Sequence, residues 1–133
     1  MKLLVTGGAG FIGSAFIREA ISRGLHVLNV DALTYASSLE NLSSIESHPA
    51  YSFKKIDITD RASIDAAIND YEPDAIVHLA AESHVDRSIE GPLSFIQTNI
   101  IGTYNLLESS RAYWQKNNYL SQFKFLHVST DEV

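Results

Sequence analysis

A chain of 133 residues, 45% apolar and 20% charged, is long enough for one hydrophobic core and too apolar to stay disordered. Ten Lys and Arg against sixteen Asp and Glu leave a net charge of -6, and no basic run exceeds Lys54-Lys55, which argues against a nucleic-acid partner. The absence of cysteine removes disulfides, thiolate nucleophiles and Cys-ligated zinc, and is compatible with a reducing cytoplasm, the location expected here.

Short apolar segments alternate with segments of helical period, the rhythm of a parallel sheet covered by helices on both faces. The longest uncharged run, Leu3 to Ile17, holds four glycines and cannot span a membrane, and Lys2 leads straight into a strand rather than a signal peptide. No membrane partner is expected. Lys2 to Thr6 reads as a buried strand, Gly7 to Gly13 as a turn, and Ile12, Phe16, Ile17, Ala20 and Ile21 as one apolar helix stripe that Gly24 ends. His26 to Val30 is a second strand. The polar stretch Ala32 to Pro49 carries a weak helix signal around Leu39 to Ile45. Tyr51 to Ile56 is a third strand, and Asp60 caps a helix with apolar positions Ile64, Ala67, Ile68 and Tyr71, stopped by Pro73. Ala75 to Ala80 is a fourth strand. From Gly91-Pro92 a helix runs to about Trp114, apolar on more than one face (Leu93, Phe95, Ile96, Ile100, Ile101, Tyr104, Leu106, Leu107), as for a helix that covers the sheet and a partner as well. Phe123 to Val128 is a fifth strand, leading into Ser129-Thr130-Asp131-Glu132-Val133. The expected fold is a doubly wound parallel α/β sheet of the Rossmann type, ending after its fifth strand.

The turn satisfies two spacings, Gly8-x-Gly10-x-x-Gly13 and Gly7-x-x-Gly10-x-x-Gly13. One glycine permits the tight turn out of the strand, the next lets a pyrophosphate approach the backbone, and the last lets the helix pack close, while the helix N-terminus offers free N–H groups to phosphates. Asp31 closes the second strand about 20 residues on, where an acidic side chain accepts from a ribose 2'-hydroxyl and repels a 2'-phosphate. No Arg or Lys lies at positions 32 to 36, so the pattern selects NAD over NADP. Asp57, ending the third strand, is either an adenine-side contact or a turn residue.

In such a sheet the ligand lies beyond the carboxyl ends of the strands, so Gly7 to Gly13, Asp31, Asp57, Ala80 to His84 and Ser129 to Glu132 are expected around one crevice. Asp131 and Glu132 are poor packing residues. Set in different environments they would supply one proton donor and one acceptor; set in solvent they are an acidic turn. Ser83, His84 and Asp86 are too crowded for a nucleophilic triad and no G-x-S-x-G elbow exists. The histidines show no metal-ligand spacing, so no metal is expected.

Val5 to Gly13, Asp31 to Ala36, Asp57-Ile58, His78 to Ser88, Thr98-Asn99 and Ser129 to Val133 together resemble the N-terminal part of the dTDP-glucose 4,6-dehydratases, within the extended short-chain dehydrogenase/reductases. The resemblance implies an enzyme that uses tightly held NAD to oxidise C4 of a nucleotide sugar, eliminates water across C5 and C6, and reduces C6. It implies that Thr130 holds the sugar near its 4-oxygen, Asp131 protonates the leaving hydroxyl and Glu132 removes the C5 proton. By the same resemblance, Phe11 and Ile12 meet the pyrophosphate by backbone, within the turn whose Gly7, Gly10 and Gly13 are read as cofactor-binding, and Asp31, Ala32, Leu33 and Thr34 meet the adenosine ribose. Asp57 and Ile58 reach the adenine, and Leu79, Ala80, Ala81, Ser83 and Thr98 the nicotinamide half, with Ser83 also touching substrate. Two departures stand out: Ser37-Ser38 where the family reads Gly-Asn, and no helical Tyr-x-x-x-Lys pair, since only Tyr51 and Lys55 have that spacing and they fall in a strand. The chain is therefore expected to be the cofactor half of a homodimeric enzyme, without the sugar-nucleotide domain and inactive alone. The alternatives are a sugar-nucleotide epimerase, which does not need the Asp131-Glu132 pair, and a remnant that holds NAD without chemistry.

Overall fold

In a computed structural model, residues 1–130 are described. Five strands, β1 (Lys2–Thr6), β2 (His26–Asp31), β3 (Tyr51–Lys55), β4 (Ala75–His78) and β5 (Lys124–His127), form one sheet in the order β3-β2-β1-β4-β5. Every pairing is parallel, with Leu4 opposite both Leu28 and Ile76, and Val77 opposite Leu126. The helices are α1 (Phe11–Ser22), α2 (Arg61–Tyr71), α3 (Val85–Glu90), α4 (Pro92–Phe95) and α5 (Thr103–Lys116).

Strand alternation sorts the core into two layers. Leu3, Val5, Val27 and Val77 face α1 through Ile17, Ala20 and Ile21. Leu4, Leu28, Val30 and Ile76 face α2 and α5 through Ile64, Ala67, Ile68, Leu106 and Tyr113. Asp60 caps α2 as its sequence position predicts, its carboxylate accepting from the Ser63 N–H at 3.2 Å. Before Pro73, Glu72 turns the chain out of the helix at φ 52°.

Several boundaries differ from the sequence reading. Around Leu39 to Ile45 the helix is a 3-10 turn, Leu39–Leu42, capped by Ser38; Leu42 is its buried residue, and Ile45, partly buried against the same core layer, lies beyond its end. Ile12 is 66% exposed and leaves the α1 stripe for the crevice described below. The fourth strand stops at His78 because Leu79 and Ala80 turn towards Thr6. Ile56, Phe123 and Val128 likewise fall outside their strands. The helix expected from Pro92 to Trp114 is interrupted: between α4 and α5, Ile96–Gly102 is wound as a π-helix. A Cβ on Gly102 would sit 2.5 Å from the Ile58 side chain, so glycine lets this winding press against the core. α3 is an element the sequence reading does not contain; Asp86, Arg87, Ile89 and Glu90 in it are exposed, so they give no apolar periodicity to read.

Candidate functional site

All five strands run in one direction, so their carboxyl ends share one edge. Connections lead from β1 towards β2 on one side, whereas β4 lies on the other side of β1, and a crevice opens where the two windings part. Its volume is about 460 Å³.

Gly7, Gly10, Phe11, Ile12 and Gly13 line it, so the glycines of the seven-residue spacing are the ones that face the crevice. Gly8 lies beneath, where a Cβ would overlap the Asn29 side chain and Ile17. Gly7 stands at φ +71°, and a Cβ there would lie 2.6 Å from the Ala80 nitrogen. A Cβ on Gly13 would overlap the Gly7 carbonyl oxygen. Gly10 precedes α1 without a side-chain cap, so the first N–H groups of that 12-residue helix keep their donors for a ligand. Phe11 is 90% exposed at the mouth.

Asp31 closes β2 and is buried. Its Oδ2 accepts from the Ala9 N–H at 2.9 Å, and its Oδ1 from the Leu33 N–H at 2.8 Å and the Ser37 hydroxyl at 3.0 Å. A carboxylate has about four acceptor sites, so roughly one remains for a ligand hydroxyl. Ala32 and Thr34 line the crevice with Asp31. Leu33 does not; at φ 56° its side chain packs against the α1 core layer. At the Ser37-Ser38 departure from the family pattern, Ser37 fixes the Asp31 carboxylate and Ser38 caps the 3-10 turn. Asp57 and Ile58 line the far end of the crevice, where Asp57 also accepts from the Thr59 N–H and hydroxyl.

From the other side come Leu79, Ala80, Ala81 and Ser83 after β4, and Thr98 from the π-helix. Thr6 Oγ1 accepts from the Ala80 N–H at 3.3 Å and lies 2.7 Å from His78 Nδ1, and His78 Nε2 reaches Thr103 Oγ1 at 2.8 Å. Burial, and next the nearby His127, push His78 down to about 4, so near neutrality it is an uncharged bridge between strand and helix. Asn99 clamps the Glu82 peptide, accepting from its N–H at 2.8 Å and donating to its carbonyl at 2.9 Å. The π-winding turns Thr98 to the crevice and Asn99 to that peptide, a placement with functional precedent for such bulges.

Thr130 lines the crevice with Val128 and Ser129. Asp131 and Glu132, the expected acid and base, lie outside the described residues. Tyr51 and Lys55 sit at opposite ends of β3, and the Tyr51 hydroxyl accepts from Asn29 at 3.1 Å, remote from the crevice. Among the described residues no group of His, Asp or Glu is arranged to hold a metal, and no helix is long and apolar enough to cross a membrane.

The sequence reading missed one group. The Tyr35 hydroxyl donates to Glu82 Oε2 at 3.1 Å, and the Arg87 guanidinium stands 3.7 Å from the Tyr35 ring centroid. No periodicity or motif links positions 35 and 87.

Strand order, glycine turn and crevice together define a doubly wound α/β chain of the Rossmann type. Residues 4–133 match the family model described as GDP-mannose 4,6 dehydratase, and the chain belongs to that family. It is 56% identical over 135 residues to a dTDP-glucose 4,6-dehydratase of Neisseria meningitidis, with 99% of this chain and 38% of the relative covered. With the Salmonella typhimurium enzyme of that name the identity is 55%, over 100% and 38%. The chain thus spans well under half the length of these relatives. Among solved structures, a Bacillus anthracis dTDP-glucose 4,6-dehydratase in complex with NAD superposes with a TM-score of 0.83 at 38% identity, covering 100% of this chain and 38% of that one. A Thermotoga maritima UDP-glucose 4-epimerase with UDP-glucose gives a TM-score of 0.83 at 36% identity, over 98% and 38%.

Proposed function

We propose that the chain is the NAD-binding part of a dTDP-glucose 4,6-dehydratase. The observation that carries this reading is the convergence, on one crevice at the winding reversal, of the glycine turn, Asp31, Asp57, the Leu79 to Ser83 segment, Thr98 and Thr130. The residues fit the dinucleotide: uncapped N–H groups at α1 suit a pyrophosphate, and the held Asp31 carboxylate suits a ribose diol. Bound there, NAD supplies a two-electron oxidation at C4 of the sugar and returns the same electrons to C6 after water is lost, so the sugar is dehydrated with no net redox change.

The chain's own residues supply part of the rest, and none of them is assigned to take the proton of the 4-hydroxyl that the oxidation releases. Phe11, Ile12 and Gly13 hold the pyrophosphate by backbone. Asp31 orients the adenosine ribose and excludes a 2'-phosphate, while Asp57 and Ile58 bound the adenine end. Ala80 and Ala81, steadied by the Thr6–His78–Thr103 bridge, and Thr98 place the nicotinamide half. Ser83 and Thr130 touch the sugar. Asp131 gives a proton to the leaving 6-hydroxyl and Glu132 takes the C5 proton, the division of labour an elimination needs. The dehydratase reading is preferred to the epimerase one because relatives at 55–56% identity carry the dehydratase name, against 36% for the Thermotoga epimerase. The working enzyme is proposed to be a homodimer acting on a nucleotide sugar in the cytoplasm, with no nucleic-acid or membrane partner. The exposed Leu93, Ile96, Ile100, Ile101, Tyr104 and Leu107 are the apolar surface available for pairing.

The test is to give the full-length protein dTDP-glucose deuterated at C4 and analyse the product by mass spectrometry. Loss of one water with the deuterium kept on C6 is expected. Recovery of a C4 epimer of unchanged mass, or no reaction, would reject the dehydratase.

A further inference from the structure

β2 and β4 lie on either side of β1, so a bridge between the loops that follow them passes over the end of β1, where the glycine turn begins. Tyr35 makes that bridge. Its neighbours Thr34 and Ala36 line the crevice from the β2 side, and Glu82 lines it from the β4 side. The hydroxyl donates to the Glu82 carboxylate at 3.1 Å, the Arg87 guanidinium lies 3.7 Å from the ring centroid, and the His84 ring is tilted at 6.0 Å.

Both ends are anchored. On the β2 side, Leu33 and Ser37 tie the loop to Asp31. On the β4 side, Asn99 clamps the Glu82 peptide through both of its polar groups. Tyr35 itself is 44% exposed and belongs to neither core layer, so packing of the fold does not explain its place.

We propose that Tyr35 is a positioning residue that latches the two walls of the crevice together through Glu82 and Arg87, and so sets how fast the dinucleotide enters and leaves. The proposal rests on the reading of the crevice as an NAD site. A guanidinium over an aromatic ring and a hydrogen bond to a carboxylate are each weak enough to open in solution and strong enough together to slow exchange. Because the latch joins the two walls between which the dinucleotide passes, its loss opens the way in as well as the way out.

The experiment is stopped-flow binding of NADH to the full-length protein, followed by nicotinamide fluorescence, for wild type, Tyr35→Ala, Tyr35→Phe and Arg87→Gln. Tyr35→Ala is expected to raise association and dissociation rates together, each by about tenfold, with affinity moved by less than about threefold. Tyr35→Phe keeps the ring over Arg87 and should give a smaller rise in both. A merely structural role would weaken affinity without speeding association. Normal binding with unaltered association rates in Tyr35→Ala would overturn the latch while leaving the NAD site standing; if that variant does not fold, Arg87→Gln, changed at an exposed position, decides in the same way. No binding by the wild type would overturn the NAD reading and the latch with it.

Discussion

β1 and β5 have similar sequences, Lys-Leu-Leu-Val-Thr and Lys-Phe-Leu-His, and both end at the crevice, yet their surroundings are opposite. Leu4 and Val5 of β1 are 0% exposed, whereas Leu126 of β5 is 54% exposed. The first strand has a strand on each side and a helix layer on each face. Among the described residues the last pairs with β4 alone, and its Phe125 side meets the α2–α5 layer. The α1 layer extends over Val77 but not over Leu126. A strand's own residues therefore determine that it forms, and its neighbours determine how much of it leaves water.

The largest expected effect lies at the end of β1. Gly7→Ala combines a left-handed backbone with a Cβ 2.6 Å from the Ala80 nitrogen; strain and overlap should together cost about 3 to 4 kcal/mol in urea unfolding. An effect below about 1 kcal/mol would mean that the two walls are not rigidly joined there.

The second prediction sits at the seam between the two regions, where His78 of β4 stacks on His127 of β5 at 4.9 Å. Burial, then His127, lower His78 to about 4, against about 6.5 in an unfolded chain. Between those values the unfolded state binds more protons, so stability rises with pH. The contribution is full above about pH 6.5 and is lost as pH falls towards about 4, a loss of about 3 kcal/mol. His78→Gln should flatten that part of the pH profile of unfolding. A variant with the wild-type slope would assign the acid sensitivity elsewhere.

Two smaller effects follow. Tyr113→Phe removes the buried hydroxyl that donates to the Pro73 carbonyl at 3.3 Å and should cost about 1 kcal/mol. Leu126→Ser, on the uncovered face of β5, should change the stability of this chain by no more than about 0.5 kcal/mol. A loss of 2 kcal/mol or more, about that of a buried leucine, would show that this face is covered in solution and would end the contrast with β1.

The sequence made the β1 side the more legible of the two. Leu3 to Val5 is a continuous apolar run, the glycines after it have the spacing a phosphate turn needs, and Asp31 falls where the second strand must end; each is a local pattern with a local cause. Asp60 as a cap is of the same kind. What escaped reading depends on long-range geometry. The π-winding at Ile96–Gly102 brings Gly102 into close packing on Ile58, 44 positions earlier. The Tyr35–Arg87 pair joins two loops that only the strand order brings together. Leu33 is of the same kind: Ala32 and Thr34 on either side of it line the crevice, and a positive φ turns the Leu33 side chain into the core.

The most direct test of the account is calorimetric titration of the full-length protein with NAD and, separately, with NADP. Asp31 is buried at the crevice with its carboxylate held by Ala9, Leu33 and Ser37, and no cationic side chain at positions 32–36 stands ready to neutralise a 2'-phosphate. NAD should bind at least about 100-fold more tightly, the scale of a like-charge clash at a desolvated site. Equal affinity for the two, or binding of neither, would contradict the assignment of the crevice as an NAD site governed by Asp31.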